Sequence, residues 1–175
     1  MDCMTEHNQS AAWKHRIAHT LRRLPFITAL AFQVWRRLQP RYTLGAVGVL
    51  IDTQGRILLV EHAFHPKTPW GLPGGWVGRG EDPAITVQRE LHEELAINVD
   101  VGPLLLAETP FPRHLDLAYL CRSDDLTITA LSYELLNYNW FKSDQMPRIL
   151  SFHYRAIQRA LEVNQSTETH QWLQH

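Results

Sequence analysis

Three glutamates, Glu90, Glu93 and Glu94, stand at i, i+3 and i+4 in residues 75–97, GWVGRGEDPAITVQRELHEELAI. On a helix this spacing brings all three side chains to one side. Stacked carboxylates repel one another unless a cation sits among them. Hard oxygen donors of this kind suit Mg2+ or Mn2+, ions that enzymes use to bind and activate phosphates. At about 100° per residue, Ala84, Val87, Leu91 and Leu95 gather on one face, and the three acids lie on the adjacent one. A helix here packs by one side and offers acids along the next.

The flanking sequence carries signals for the elements that must hold this helix. Asp82 can cap it, with Pro83 at its first position. Ahead of it, residues 71–77 read as a strand and turn punctuated by glycine, preceded by a polar loop over 62–69. β-rich runs over 43–51 and 56–62 are separated by Asp52-Thr53-Gln54-Gly55, a hairpin signal. Further strands are expected over 98–108, 115–122 and 135–141, and residues 127–129 look extended too. A final helix over 148–163 has Ile149, Phe152, Ala156, Ile157, Ala160 and Leu161 as its buried stripe.

Residues 13–38 read as one or two helices broken or opened at Pro25. Phe26, Ile27, Leu30, Ala31, Val34, Trp35 and Leu38 recur at helical spacing, and Arg36 and Arg37 complement the dipole at the C-terminal end. Such a helix can touch a membrane surface or a partner. The preferred reading is packing on its own domain or across a dimer. Residues 1–12 are polar and expected to be mobile, and the tail from Asn164 is expected to fray, although Trp172 and Leu173 offer a docking point.

The acidic stretch resembles the Nudix box, Gly-x5-Glu-x7-Arg-Glu-U-x-Glu-Glu-x-Gly-U, with U aliphatic. Gly75, Glu81, Arg89, Glu90, Leu91, Glu93, Glu94 and Ile97 match, and Ala96 departs where the family has glycine. The flanks are similar to the family as well: Trp70-Gly71-Leu72-Pro73-Gly74-Gly75 before the box, then Glu134 to Phe141 and Met146-Pro147 before the last helix. The resemblance implies a Nudix α/β/α sandwich: a mixed sheet between the box helix and the C-terminal helix, with an N-terminal helical extension added. The organisation would be an extension over 1–40, a Nudix domain over 41–163 and a polar tail over 164–175.

By the same resemblance, Glu90 and Glu94 form the primary metal pair, Glu93 is shared between ligand and base, and the Gly74 carbonyl contacts the ion. Gly75 and Glu81 are structural, and Arg89 belongs with the catalytic set as the partner of Glu81, holding the loop against the helix. The general base is Glu93 or Glu134, which stands six residues before Trp140. The family glycine at 96 would end the helix in a left-handed conformation, where alanine costs about 1 kcal/mol. Asn98 tolerates that conformation and can take over the turn.

The implied activity is Mg2+-dependent (or Mn2+-dependent) hydrolysis of a diphosphate bond in a small nucleotide. Pro112, sixteen residues after Ala96, resembles a feature of ADP-ribose pyrophosphatases, which suggests a nucleoside diphosphate sugar such as ADP-ribose. Phe111 would then stack on a base and Arg113 contact a phosphate. A plain proline-rich turn is the preferred alternative for this segment. Trp70 and Trp76 are further stacking candidates or core residues, and Arg41 and Tyr42 can line the pocket. The rivals are a nucleoside triphosphate pyrophosphatase, a non-catalytic nucleotide-sensing domain and an RNA-end hydrolase. No stacking platform with interleaved basic residues is evident, so stable nucleic-acid binding is not expected.

Composition bounds these readings. The 175 residues are 45% hydrophobic and 20% charged, ordinary for a globular domain with a substantial core. The net charge of -1 gives no nucleic-acid footprint, but residues 1–42 carry seven Lys/Arg against two Asp/Glu and the remainder ten against sixteen. Two cysteines, Cys3 and Cys121, argue against a structural disulfide and fit a reduced cytoplasm. The apolar run over 24–35 is interrupted and too short to span a bilayer, and as a signal peptide its cleavage signal would fall inside the run. No His/Cys spacing suggests zinc; His62, His65 and His92 read as surface or supporting groups. A homodimer is compatible with the sequence.

Overall fold

The computed structural model describes residues 25–172, with side chains from Phe26 to Ser166. The expectations for residues 1–24 (Cys3 and the helix over 13–24 among them), for Leu173 and for the Trp172 side chain lie outside the described residues. The chain divides into two compact units, residues 1–41 and 42–175.

The first unit contributes helix α1 (Pro25–Leu38), opened by Pro25 and ending on Arg36 and Arg37. Phe32 and Trp35 pack ring on ring at 5.6 Å along it. Phe26, Ile27, Leu30, Val34, Trp35 and Leu38 are all exposed.

The second unit runs β1 (Thr43–Leu50), β2 (Ile57–His62), β3 (Trp70–Gly71), β4 (Gly74–Trp76), α2 (Pro83–Leu95), β5 (Asp100–Glu108), β6 (His114–Arg122), β7 (Leu135–Phe141) and α3 (Ser151–Trp172). One sheet is mixed, in the order β4-β1-β6-β5: β1 lies antiparallel to β4 and parallel to β6, and β5 is antiparallel to β6. The other, β3-β2-β7, is antiparallel throughout. The α/β/α arrangement with a mixed sheet expected from the sequence is present, and the strands divide into that mixed sheet and a second, antiparallel one. Both edges of β1 are taken, by β4 and β6, so β2 meets β1 only through the isolated Ile51–Ile57 bridge. The turn between them is closed by Asp52, whose Oδ1 accepts from the N–H groups of Gln54 and Arg56.

The sandwich is legible in β2. Leu58 and Val60 join the core under α2, with Val87, Leu91, Leu95 and Ile97. Ile57 and Leu59 join the core under α3, with Phe152, Ala156, Ile157 and Ala160. Alternate residues of one strand thus feed two cores, as the strand period of two requires. Burial of each such aliphatic side chain contributes about 1.5–3 kcal/mol, and Val87, Leu91 and Leu95, all with no exposed surface, pin α2 to the sheets by the face read from the sequence.

Two segments are sharpened by the structure. Residues 127–129 form no strand: Asp125 turns back on the Thr127 N–H at 2.8 Å, and Ile128 packs against the core from an irregular segment. The final helix begins at Ser151 and continues to Trp172, well past 163. No proline or glycine interrupts that stretch, so nothing local ends the helix where the apolar stripe runs out.

Candidate active site

Helix α2 begins as the sequence predicts. The Asp82 side chain accepts the Ala84 N–H at 2.8 Å, and Pro83 occupies the first turn. Its other end departs from expectation. Ala96 itself takes the left-handed conformation, with φ 56° and ψ 28°, and Asn98 does not take over the turn. The Ala96 N–H reaches His92 O at 3.0 Å, the single bond of a left-handed helix stop made here without glycine, and the Ile97 N–H reaches Leu91 O at 3.4 Å. Ile97, fully buried beside Leu91, supplies the hydrophobic contact that holds the stop.

Arg89 organises the exposed side of the acidic row. Its Nε and Nη2 clasp the two carboxylate oxygens of Glu81 at 2.9 and 3.3 Å. Its Nη1 reaches Glu90 at 2.8 Å and Glu93 at 3.1 Å. Glu81 also accepts the Gly78 N–H at 2.7 Å, so the loop before the helix is tied down at both ends. The Arg89 bonds, then the Gly78 bond, hold the Glu81 carboxyl down to about 2. Glu81, then Glu90 and Glu93, push the guanidinium further up.

Glu94 has a different environment. It is 6% exposed, and its Oε2 accepts the Gly74 N–H at 3.2 Å. Burial pushes its pKa up to about 8; the Gly74 hydrogen bond opposes the rise, and the charges of Glu90, Glu134 and Glu93 add to it. Two glycines make this approach feasible. Gly74 adopts φ 147° against the backbone of Ala46 and Val47, a conformation L side chains avoid. At Gly75 a Cβ would collide with the Glu90 carboxyl. Glu134 enters from the turn before β7. Ser132 N–H bonds Glu94 O at 3.0 Å and Ala63 N–H bonds Glu134 O at 2.9 Å, which hangs that turn on the C-terminal end of α2.

Among the described residues no three acids or histidines converge into a preformed metal cage. Mg2+ does not call for one, since it keeps several waters and takes one or two carboxylates plus substrate phosphates. Glu90 and Glu94 beside a glycine backbone match that donor set. A cation there would also relieve the burial of Glu94.

The predicted substrate residues separate into two groups. Trp76 follows Gly75 on β4, so its side chain leaves the opposite face of the strand; it is 65% exposed. Its ring lies 5.0 Å from that of His114, and Phe111 lies 6.1 Å from His114. Tyr42, Phe111 and Arg113 line a cleft of about 310 Å3, with Arg113 held at φ 61°. Trp70 is elsewhere: it packs edge-on against Phe141 at 5.2 Å beside the core under α3. Arg41 is exposed and falls in the first unit. His92 is exposed, as read from the sequence.

Sequence reasoning missed His114, Asp116 and Thr43. His114 Nδ1 is 2.9 Å from Thr43 Oγ1 and Nε2 is 2.8 Å from Asp116 Oδ1, so the ring that joins Trp76 to Phe111 is fixed at both nitrogens. The signal was the His-x-Asp spacing at a strand start, which puts both side chains on one face. The parallel pairing of β1 with β6, Thr43 opposite His114, is long-range and carries no local mark.

Comparison with known proteins bears on this geometry. The NUDIX domain family model matches residues 41–160. The NAD-capped RNA hydrolase NudC of Erwinia tasmaniensis is 32% identical over 100 residues, covering 57% of this chain and 38% of that protein. The Salmonella agona NudC is 32% identical with 39% of its length covered, so the chain spans about two-fifths of the length of these curated relatives. Among solved structures, a MutT NUDIX hydrolase from Burkholderia pseudomallei is 28% identical with TM-score 0.58, covering 69% of this chain and 98% of that one. An ADP-ribose pyrophosphatase from Streptococcus suis shares the fold at 22% identity and TM-score 0.60, covering 72% of this chain and 92% of that one. The family model takes in both sheets, the acidic helix and the first part of α3, and the chain belongs to the Nudix hydrolase family.

Proposed function

We propose that this chain is a Mg2+-dependent pyrophosphohydrolase that cleaves the diphosphate of a nucleoside diphosphate joined to a second group, of the ADP-ribose or NAD type. The observation that carries this reading is the Glu94 carboxyl, buried at 6% exposure and raised to about 8 beside Glu90 and Gly74. A site so arranged is short of positive charge. A divalent cation supplies that charge, neutralising diphosphate oxygens and making water at the site more acidic; Mn2+ is the alternative ion. Glu90, Glu94 and the Gly74 carbonyl hold it, with Glu93 at the margin.

Glu134 is the better general base. Arg89 Nη1, already bonded to Glu90, also donates to Glu93 Oε2 at 3.1 Å, so one of the Glu93 carboxylate oxygens is occupied and turned from an attacking water. Glu134 stands in the field of Glu94 and takes the proton of the attacking water on a carboxylate oxygen. Arg89 keeps the acid row in place. Trp76 and Phe111, linked through His114, offer faces for a base, and Arg113 a charge for a phosphate; Trp70, packed against Phe141, is left as a core residue. The similarity to NudC supports a substrate containing NAD. The catalytic unit is residues 41–163, and a cytoplasmic setting fits the buried free thiol of Cys121.

The test is a screen of ADP-ribose, NAD, an RNA bearing a 5′ NAD and the nucleoside triphosphates, with Mg2+ and phosphatase-coupled phosphate release. Cleavage between the two phosphates, giving AMP and a sugar phosphate or a second mononucleotide, is expected. Mononucleotide plus pyrophosphate from triphosphates would overturn the substrate class, and silence across the panel would leave a sensing domain. Trp76→Ala and Phe111→Ala should each raise KM about 10-fold with kcat unchanged, the scale of one lost stacking contact.

A further inference from the structure

Between Gly71 and Gly74 the chain leaves one sheet and enters the other. Its backbone groups there are satisfied from outside both sheets or at their margins. The Gly48 N–H donates to Pro73 O at 2.9 Å. The Gly74 N–H donates to Glu94 at 3.2 Å. The Leu72 N–H donates to Nδ1 of His153 on α3 at 3.2 Å. Leu72 is 1% exposed, so water cannot replace that acceptor, and a buried N–H is costly to leave unpaired.

The imidazole is seated for this bond. It lies where a side chain at Gly71 would project: a Cβ there would stand 2.9 Å from both Cε1 and Nδ1 of His153, and 3.4 Å from Nε2 of His62. Phe152 flanks the ring at 5.8 Å, and His62 and His65 are near enough for their charges to act on it. To accept, Nδ1 must carry no proton. Burial, then the proximity of His62 and His65, holds the ring down to about 4, so it is neutral in ordinary buffers and its proton sits on Nε2.

We infer that His153, far from the acidic box in sequence, is a positioning residue for the metal site: its Nδ1 fixes the Leu72 backbone and, through Pro73, sets Gly74 against Glu94. The inference rests on the reading of Glu90, Glu94 and Gly74 as the metal site. A residue that orients a metal-binding group from one layer out changes metal affinity about 10- to 100-fold when lost.

The test compares the full chain with His153→Asn, His153→Gln and His153→Leu. Asn places an oxygen near the Nδ1 position, Gln moves it towards Nε2, and Leu keeps bulk without an acceptor. Two quantities are read: Mg2+ affinity from the shift of the Gly74 amide resonance, and hydrogen exchange of the Leu72 amide in metal-free protein. The Asn variant should stay within about 3-fold of the wild-type Mg2+ affinity and keep Leu72 protected. The Gln and Leu variants should lose about 10- to 100-fold and expose Leu72. Equal behaviour of Asn and Gln overturns the inference without needing the Leu variant to fold. So does a protected Leu72 amide in the Gln variant. Wild-type protein that binds no Mg2+ sinks the metal reading instead, and the exchange data then still decide whether His153 holds Leu72.

Discussion

The two ends of the acidic row on α2 use the same side chain for opposite ends. Around Arg89, three carboxylates share one guanidinium, and Glu81 is held down to about 2. One helical turn past Glu90, Glu94 is buried against Gly74 and pushed up to about 8. Residue type and helical spacing are common to both ends; what differs is whether positive charge is already present. A compensated carboxylate holds the loop, whereas an uncompensated one, on the function proposed above, marks where a metal ion brings positive charge.

Replacing Glu94 should break this contrast most visibly, and in two directions. On the proposed reading of Glu94 as a metal ligand, Glu94→Gln should lower kcat by at least about 100-fold, since losing a ligand costs no less than losing a group that only orients one. It should also stabilise the metal-free protein at high pH. The folded-state pKa of Glu94 lies above its ordinary value, so the folded protein keeps a proton that the unfolded chain releases. Stability therefore falls as pH rises from about 4.5 through about 8, by roughly 3–5 kcal/mol in all. Urea titrations in chelator at pH 6 and pH 9 should show the wild type weaker at pH 9, the Gln variant nearly flat, and the wild type recovering on Mg2+ addition. A Gln variant less stable than wild type at pH 9 without metal would remove the basis for treating Glu94 as uncompensated.

The contrast extends to the two proposed candidates for the base. Glu93 belongs to the Arg89 end and Glu134 to the Glu94 end. Glu134→Gln should therefore reduce kcat by about 10²- to 10⁴-fold with KM little changed, and Glu93→Gln by about an order of magnitude less. Equal losses would mean that sharing Arg89 does not weaken Glu93 as a base.

The acid row was readable because its information is local. The spacing of Glu90, Glu93 and Glu94, the Asp82-Pro83 start and the Val87, Leu91 and Leu95 face all lie within one helix and its cap. Glu81 and Arg89 came with the box. The strands were placed to within a few residues by alternation, yet their division into two sheets was not visible, because it depends on which strands occupy the edges of β1. The same holds for His114 and Asp116, whose partner Thr43 arrives through a parallel pairing some seventy residues distant. His153 was noted on no chemical ground at all: in sequence it is one more polar residue on an amphipathic helix. Residues 127–129, read as extended, pair with no strand, and the Asp125 turn ahead of them carried no mark strong enough to say so.

A smaller effect is expected at the compensated end. Glu81 has a folded-state pKa well below its ordinary value, so its contribution to stability is present above about pH 4.5 and is lost as pH falls through about 2. Glu81→Gln should lower Tm by a few degrees at pH 7 and flatten the acid limb of the stability curve, while kcat falls by no more than about 10-fold. Thermal melts across pH 2 to 7 read both. A kcat loss matching that of Glu94→Gln would show that the Arg89 cluster does more than hold the loop.

Ala96→Gly carries the smallest effect and tests the uncompensated end from its backbone. The left-handed conformation at φ 56° costs an alanine about 1 kcal/mol, and glycine adopts it freely. Glycine also loosens the unfolded chain, which returns part of that gain. The net should be a stabilisation of no more than about 0.6 kcal/mol, or a Tm higher by up to about 2 °C. Glu94 lies two residues before this stop and its carbonyl takes the Ser132 N–H, so the strain at Ala96 sits beside the acid and beside the turn that delivers Glu134. If the strain is only the local consequence of lacking a glycine, Tm rises and kcat stays put. If kcat falls as Tm rises, the alanine holds Glu94 and Glu134 in register, and the uncompensated end extends one residue beyond the helix.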